Sequence, residues 1–110
     1  MSYEITQKRT ITEEDVNGVI DSAFYSGIGY WCDELRYDKE PDTEVSAMSE
    51  ALTKGAIIGI HDSEEDEWHS LELDKVLQAI ADEQVDFDDY DALVGDAVVQ
   101  RAIFGEVVYG

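Results

Sequence analysis

Val16, Val19, Ile20, Ala23 and Phe24 stand at i, i+3, i+4, i+7 and i+8, a spacing that aligns all five on one face of a helix. Thr12 opens the run as a cap for the free amides, and Glu13, Glu14 and Asp15 suit the positive end of the helix dipole. Gly27 is expected to end the helix in a left-handed conformation. A helix with one apolar face must bury it against a second layer. The neighbouring segments read mainly as strands. Residues 3–11, YEITQKRTI, have β-branched content, with Tyr3, Ile5 and Ile11 as the apolar positions. In GIGYWCDELR at 27–36, period-two spacing sets Ile28, Tyr30 and Cys32 on one face and Trp31 and Leu35 on the other. That pattern predicts a strand buried on both faces and so central in its sheet.

AIIGIHD at 56–62 and EWHSLEL at 67–73 flank the acidic tip 63–66, which predicts a β-hairpin with a charged turn. Asp74 is expected to cap a helix whose inner face is Val76, Leu77, Ile80 and Ala81. Asp88 or Asp89 is expected to cap a last helix bearing Leu93, Val94, Ala97 and Val98, with Gly105 at its end and EVVYG extended along the core. DKEPDTE at 38–44 is a loop, because Pro41 bars an ordinary continuing helix. VSAMSEAL at 45–52 reads either as a short helix or as more loop, up to Gly55. The expected architecture is α+β: one domain over 1–110, with a small antiparallel sheet of 3–4 strands and about three helices packed on it.

Charge bounds the partners. The chain has 27 acidic residues against 7 basic ones, a formal net charge of −20. Solubility of a small domain needs a magnitude of only roughly 2–8, and self-repulsion weakens the compact state. The same sign disfavours direct binding to nucleic acid or to an anionic membrane, so a macromolecular partner is expected to be basic. One cysteine cannot form an internal disulfide, which fits a reducing cytoplasm. MSYEITQKRT has no apolar signal core and no apolar run is long enough to span a bilayer, so a complete, soluble, cytoplasmic protein is expected.

No catalytic constellation stands out. A nucleophilic Cys32 would need nearby positive charge or a base, yet Asp33 and Glu34 follow it and oppose the thiolate. It reads as a buried small hydrophobe. His61 and His69 flank the hairpin tip but lack the close-spaced Cys/His set of a zinc site. DSEEDE at 62–67 has Glu67 where a calcium loop needs glycine, and DFDDYDALVGDA at 86–97 interleaves Phe87 and Tyr90 among its acids. Carboxylates on every turn single out no acid–base pair, and no phosphate-cradling glycine loop or G-x-S-x-G is present. A protein without enzymatic activity, metal or cofactor is expected.

Three explanations of the acidity compete. A rigid array of carboxylates would occupy the basic groove of a nucleic-acid-binding protein, since duplex DNA carries about one charge per ~1.7 Å of axis. The candidate partner-binding residues are Asp62, Glu64, Glu65, Asp66 and Glu67 at the tip, with Asp82, Glu83, Asp86, Asp88, Asp89 and Asp91 in the later acidic stretch. Phe87 and Tyr90 read either as packing or as aromatic anchors of that interface. Alternatively, the chain is a halophile-adapted binding module whose diffuse charge is screened where the Debye length falls to ~3 Å at 1 M salt. Ordinary acidity, with a site elsewhere around Trp31 or Trp68, is the third.

GIGYWCDELR and DAVVQRAIFGEVVYG resemble segments of an uncharacterised family of small proteins encoded by phages and other mobile elements. Gly27, Tyr30, Trp31 and Cys32 match the first pattern. Asp96, Ala97, Gln100, Ala102 and residues 104–110 (FGEVVYG) match the second. The resemblance implies a shared fold and a mobile-element origin, and brings no activity with it. The combined expectation is an acidic accessory protein of a virus or mobile element, acting in the host cytoplasm on a basic, nucleic-acid-binding host protein, as a nucleic-acid mimic or an inhibitor of host defence.

Overall fold

A computed structural model describes the backbone of residues 2–4 and residues 10–110 in full. The strand expected over 3–11 lies partly outside the described residues, Ile5 among them. Its two ends, β1 (Ser2–Glu4) and β2 (Thr10–Thr12), pair antiparallel with each other, Ser2 opposite Thr12 and Glu4 opposite Thr10. They do not run on as one strand.

Helix α1 (Glu13–Ser22) begins as its sequence requires. Thr12 Oγ1 accepts from the Asp15 amide at 3.1 Å while the Thr12 amide donates back to Asp15 Oδ2 at 3.0 Å. Val16, Val19 and Ile20 are fully buried on its inner face. The helix then widens into a π turn over Ala23–Gly27, closed by the Ile28 amide on the Ala23 carbonyl. Gly27 therefore does not end the helix in a left-handed conformation. It is needed for contact instead: a Cβ there would stand 2.7 Å from the Ala92 carbonyl oxygen.

The sheet departs from expectation in two respects. Residues 28–31 form a turn in which the Trp31 and Cys32 amides donate to the Ile28 carbonyl, and β3 runs only from Cys32 to Lys39. Strand order is β3-β4-β5, so β4 (Ile57–Asp62) is central and β3 is an edge. The bulky Tyr-Trp pair precedes the strand, in a turn that buries Ile28 and Trp31 and leaves Tyr30 half exposed. The expected hairpin is present: β4 pairs antiparallel with β5 (Glu67–Leu71), Asp62 opposite Glu67 and Ile58 opposite Leu71. Ile58 and Ile60 are fully buried on the inner face. Between β3 and β4 lie two short 3₁₀ turns, Met48–Glu50 and Leu52–Lys54, ended by left-handed Gly55.

Both later helices start elsewhere than predicted. α2 (Leu73–Asp82) follows directly from extended Glu72, leaving Asp74 inside its first turn, where the carboxylate accepts only from the Lys75 amide. α3 (Ala92–Phe104) is capped by Asp91, whose Oδ1 accepts the Val94 amide at 3.2 Å, and not by Asp88 or Asp89. The intervening loop is wound by left-handed Gln84 and by Asp86, which takes the Asp88 amide, so the helix cannot begin earlier. α3 packs backbone-close on α1, since a Cβ on Gly95 would meet the Ala23 nitrogen at 2.8 Å. The fold is α+β: among the described residues, three α-helices accompany the antiparallel three-stranded sheet and the β1–β2 pair.

Candidate functional site

Trp31 is fully buried at the centre of a polar network that joins three distant segments. Its indole Nε1 donates to Asp96 Oδ1 at 2.8 Å, and the Tyr30 hydroxyl donates to Asp96 Oδ2 at 2.6 Å. Gln100, one helical turn on, donates to Asp96 Oδ1 and to the Tyr109 carbonyl. Its Oε1 accepts both the Val108 and the Tyr109 amides, at 2.7 and 2.8 Å. The chain's last residues are thereby strapped to α3, and the Tyr109 ring stacks on Trp31 with centroids 5.7 Å apart. Burial first, then the Asp96 hydrogen bond, pushes the Tyr30 phenol up to about 12.

The strap reaches the hairpin tip through Asp62. The Tyr109 hydroxyl donates to Asp62 Oδ2 at 2.7 Å, a bond that with partial burial pushes the phenol up to about 12. Asp62 Oδ1 accepts the Glu64 and Glu65 amides, at 2.9 and 3.3 Å. Ser63 donates from both its amide and its hydroxyl to the Trp31 carbonyl. Asp62 is 1% exposed, so it holds the turn from within and takes no part in the outer surface assigned to it from sequence. Glu64, Glu65, Asp66 and Glu67 remain exposed around it.

His61 closes the outer side of the tip. Its Nδ1 lies 2.5 Å from Asp33 Oδ1 and its Nε2 2.9 Å from Asp66 Oδ1. Both ring nitrogens can donate only from the imidazolium. The Asp33 hydrogen bond foremost, then that of Asp66, raises the His61 pKa, and the bond to His61 lowers that of Asp33. A raised histidine pKa contributes stability that is fully present below 6.5 and lost as pH rises through the folded value. The depressed carboxyl contributes above 3.8 and loses its contribution as pH falls through its folded value. The brace is therefore complete between these two pH values. An NMR titration should give His61 an apparent pKa above 6.5, falling in Asp33→Asn; a wild-type value at or below 6.5 contradicts the double bond.

The lysine and arginine ion pairs among the described residues lie away from the tip carboxylates, although Arg36 also rests over the Trp68 ring, 3.9 Å from its centroid. Arg36 pairs with Asp38, Lys39 with Asp42, Lys54 with Glu13 and Arg101 with Glu83. No lysine or arginine among the described residues pairs with residues 64–67. β3 starts opposite Asp62 and ends with Lys39 opposite Ile57. At about 3.3 Å per residue, Lys39 is roughly 20 Å from the tip. Lys39 also donates to the Gly55 carbonyl, which holds its ammonium beside Asp42 at the far end.

The second acidic stretch is put to structural use. Asp82 accepts from Gln78, Glu83 pairs with Arg101, Asp86 takes the Asp88 amide and Asp91 caps α3. Asp88 and Asp89 are exposed. Phe87 and Tyr90 pack against the core, which favours their packing reading over the anchor one. Cys32 is buried, and burial raises its thiol pKa. Among the described residues no group of three or more His, Cys, Asp or Glu is arranged to hold a metal ion. None of the helices among them is long and apolar enough to cross a membrane.

Asp96, Gln100 and Tyr109 were not candidates by sequence, although a signal existed. Asp96 and Gln100 are two polar residues four apart within an otherwise apolar helix, which marks one buried polar stripe. Comparison of the chain with protein-family models, with curated proteins and with solved structures finds no match.

Proposed function

We propose that this chain is a non-enzymatic acidic docking protein of a virus or mobile element. The hairpin end of its sheet, with Asp33, Glu64, Glu65, Asp66 and Glu67, meets a basic surface of a host protein that otherwise binds nucleic acid. One observation carries the reading: the tip carboxylates project from a turn braced by buried Asp62, by Ser63 on Trp31 and by His61, with no lysine or arginine paired to them among the described residues. Fixed charges lose little freedom on binding, and an array of one sign steers a basic partner toward itself. Such a surface offers a lysine- and arginine-lined groove what a phosphate backbone offers it. Working against a host's nucleic-acid-directed defence or regulation, the chain would act in the host cytoplasm.

The test is a footprint. Titrating the isotopically labelled protein with a short oligolysine should concentrate amide shifts on Asp33 and residues 61–67. Shifts equally large over 40–44 and 86–91 would mean a diffuse charge with no docking face.

A further inference from the structure

Leu93 is 75% exposed in the first turn of α3, Tyr30 53% and Val107 44%, and all three border one groove. Single exposed apolar residues need no explanation, but a contiguous set does. Ala97 completes the floor and Tyr109 one wall, enclosing a volume of about 400 Å³. The wall is preformed, because Gln100 ties the Val108 and Tyr109 amides to α3.

We infer that this groove receives an apolar side chain of a basic amphipathic helix presented by the partner protein, whose lysines and arginines then lie over the hairpin tip. The inference rests on the docking reading above and extends it from charge to an anchored contact. Charge selects the occupant. Tyr109 is shared by both features: it lines the groove, while its hydroxyl bonds Asp62 and feels the charges of Glu65 and Glu64. An apolar cleft beside such a field favours a helix with an apolar face and a basic flank. A second copy of this chain would bring another charge of −20 to the same place and is repelled.

The probes are two labelled helical peptides of equal charge, with lysines on one face and either leucine or alanine at i, i+3, i+4 and i+7 on the other, measured by fluorescence anisotropy. Wild type should bind the leucine peptide about tenfold more tightly than the alanine one, as burial of one large aliphatic side chain allows. Leu93→Ser and Val107→Ser change exposed positions, leave the fold intact, and should each erase most of that preference without changing affinity for the alanine peptide. The double variant Glu64→Gln/Glu65→Gln should weaken both peptides alike. A leucine preference unchanged in both serine variants overturns the groove, whatever the tip variant does. Loss of preference in the serine variants with no effect of the tip variant keeps the groove and overturns the charged docking reading. Concentration-dependent self-association that Leu93→Ser abolishes would make the groove a contact between copies, and the inference fails.

Discussion

Asp96→Ala is expected to lower the unfolding free energy by about 2–5 kcal/mol, a large share of what a domain this size has. Asp96 is 5% exposed and is the common acceptor for Trp31, Tyr30 and Gln100. Alanine leaves the indole N–H of fully buried Trp31 without its partner, and an unsatisfied buried donor costs about 1–3 kcal/mol. It also takes one of the bonds made by the equally buried Gln100 amide, which keeps its bond to the Tyr109 carbonyl. Tyr30 is half exposed and can turn to water, so its share is the smallest. Relief of a buried charge offsets part of the loss. Asp96→Asn retains one acceptor oxygen and should cost less than Ala. Denaturant unfolding at fixed salt measures both, and a loss below about 1 kcal/mol for Ala would show that the network is not what holds these segments. The phenol of Tyr30 gives a second readout. Its raised pKa contributes stability that is present below 10.0 and lost as pH rises toward 12. Without Asp96 its ionisation should move down toward the ordinary value.

The same network explains how much of the molecule could be read from residues alone. α1 was legible because its cap, its acidic first turn and its apolar stripe all agree. The β4–β5 hairpin was legible because alternation flanks a polar tip. What escaped depended on tertiary contact. Ile28, Tyr30 and Cys32 alternate as a strand would, yet α3 packs close at Gly27 and residues 28–31 form a turn that buries Ile28 and Trp31 but not Tyr30. Local spacing carries no record of such an approach. Asp91 took the capping role from Asp88 and Asp89 because the loop before it turns at Gln84 and Asp86, and several adjacent aspartates are equivalent caps by sequence. Asp62 was grouped with its acidic neighbours because they share one chemistry, while strand alternation turns it inward beneath Tyr109. The acidic tip was foreseen as a place of charge, but its bracing was not. That bracing joins Ser63 and Asp62, at the start of the tip, to Trp31 and Tyr109, more than 30 positions away in either direction.

The largest expected effect on binding comes from where charge is removed. Glu64→Gln/Glu65→Gln and Glu40→Gln/Glu44→Gln each remove two exposed carboxylates, so the net charge of the two variants is equal. The first pair lies at the hairpin tip. The second lies in the loop after β3, at the end of the sheet where Lys39 stands. None of the four carboxylates makes a hydrogen bond or ion pair among the described residues, so folding should be nearly unaffected in both variants. An exposed charge pair contributes about 0.2–1 kcal/mol, and several together against one ligand add to the attraction. Removing two from the tip should therefore weaken a polycation by about tenfold at low salt, and less as salt screens the contact. The loop pair should change affinity by less than about twofold.

Affinity of a short oligolysine for these two variants, measured side by side over a range of salt, tests most directly whether recognition resides at the hairpin end. The account predicts a marked loss confined to Glu64→Gln/Glu65→Gln, shrinking as salt rises. Equal losses in the two charge-matched proteins would contradict it, because the ligand would then be responding to total charge and not to a face.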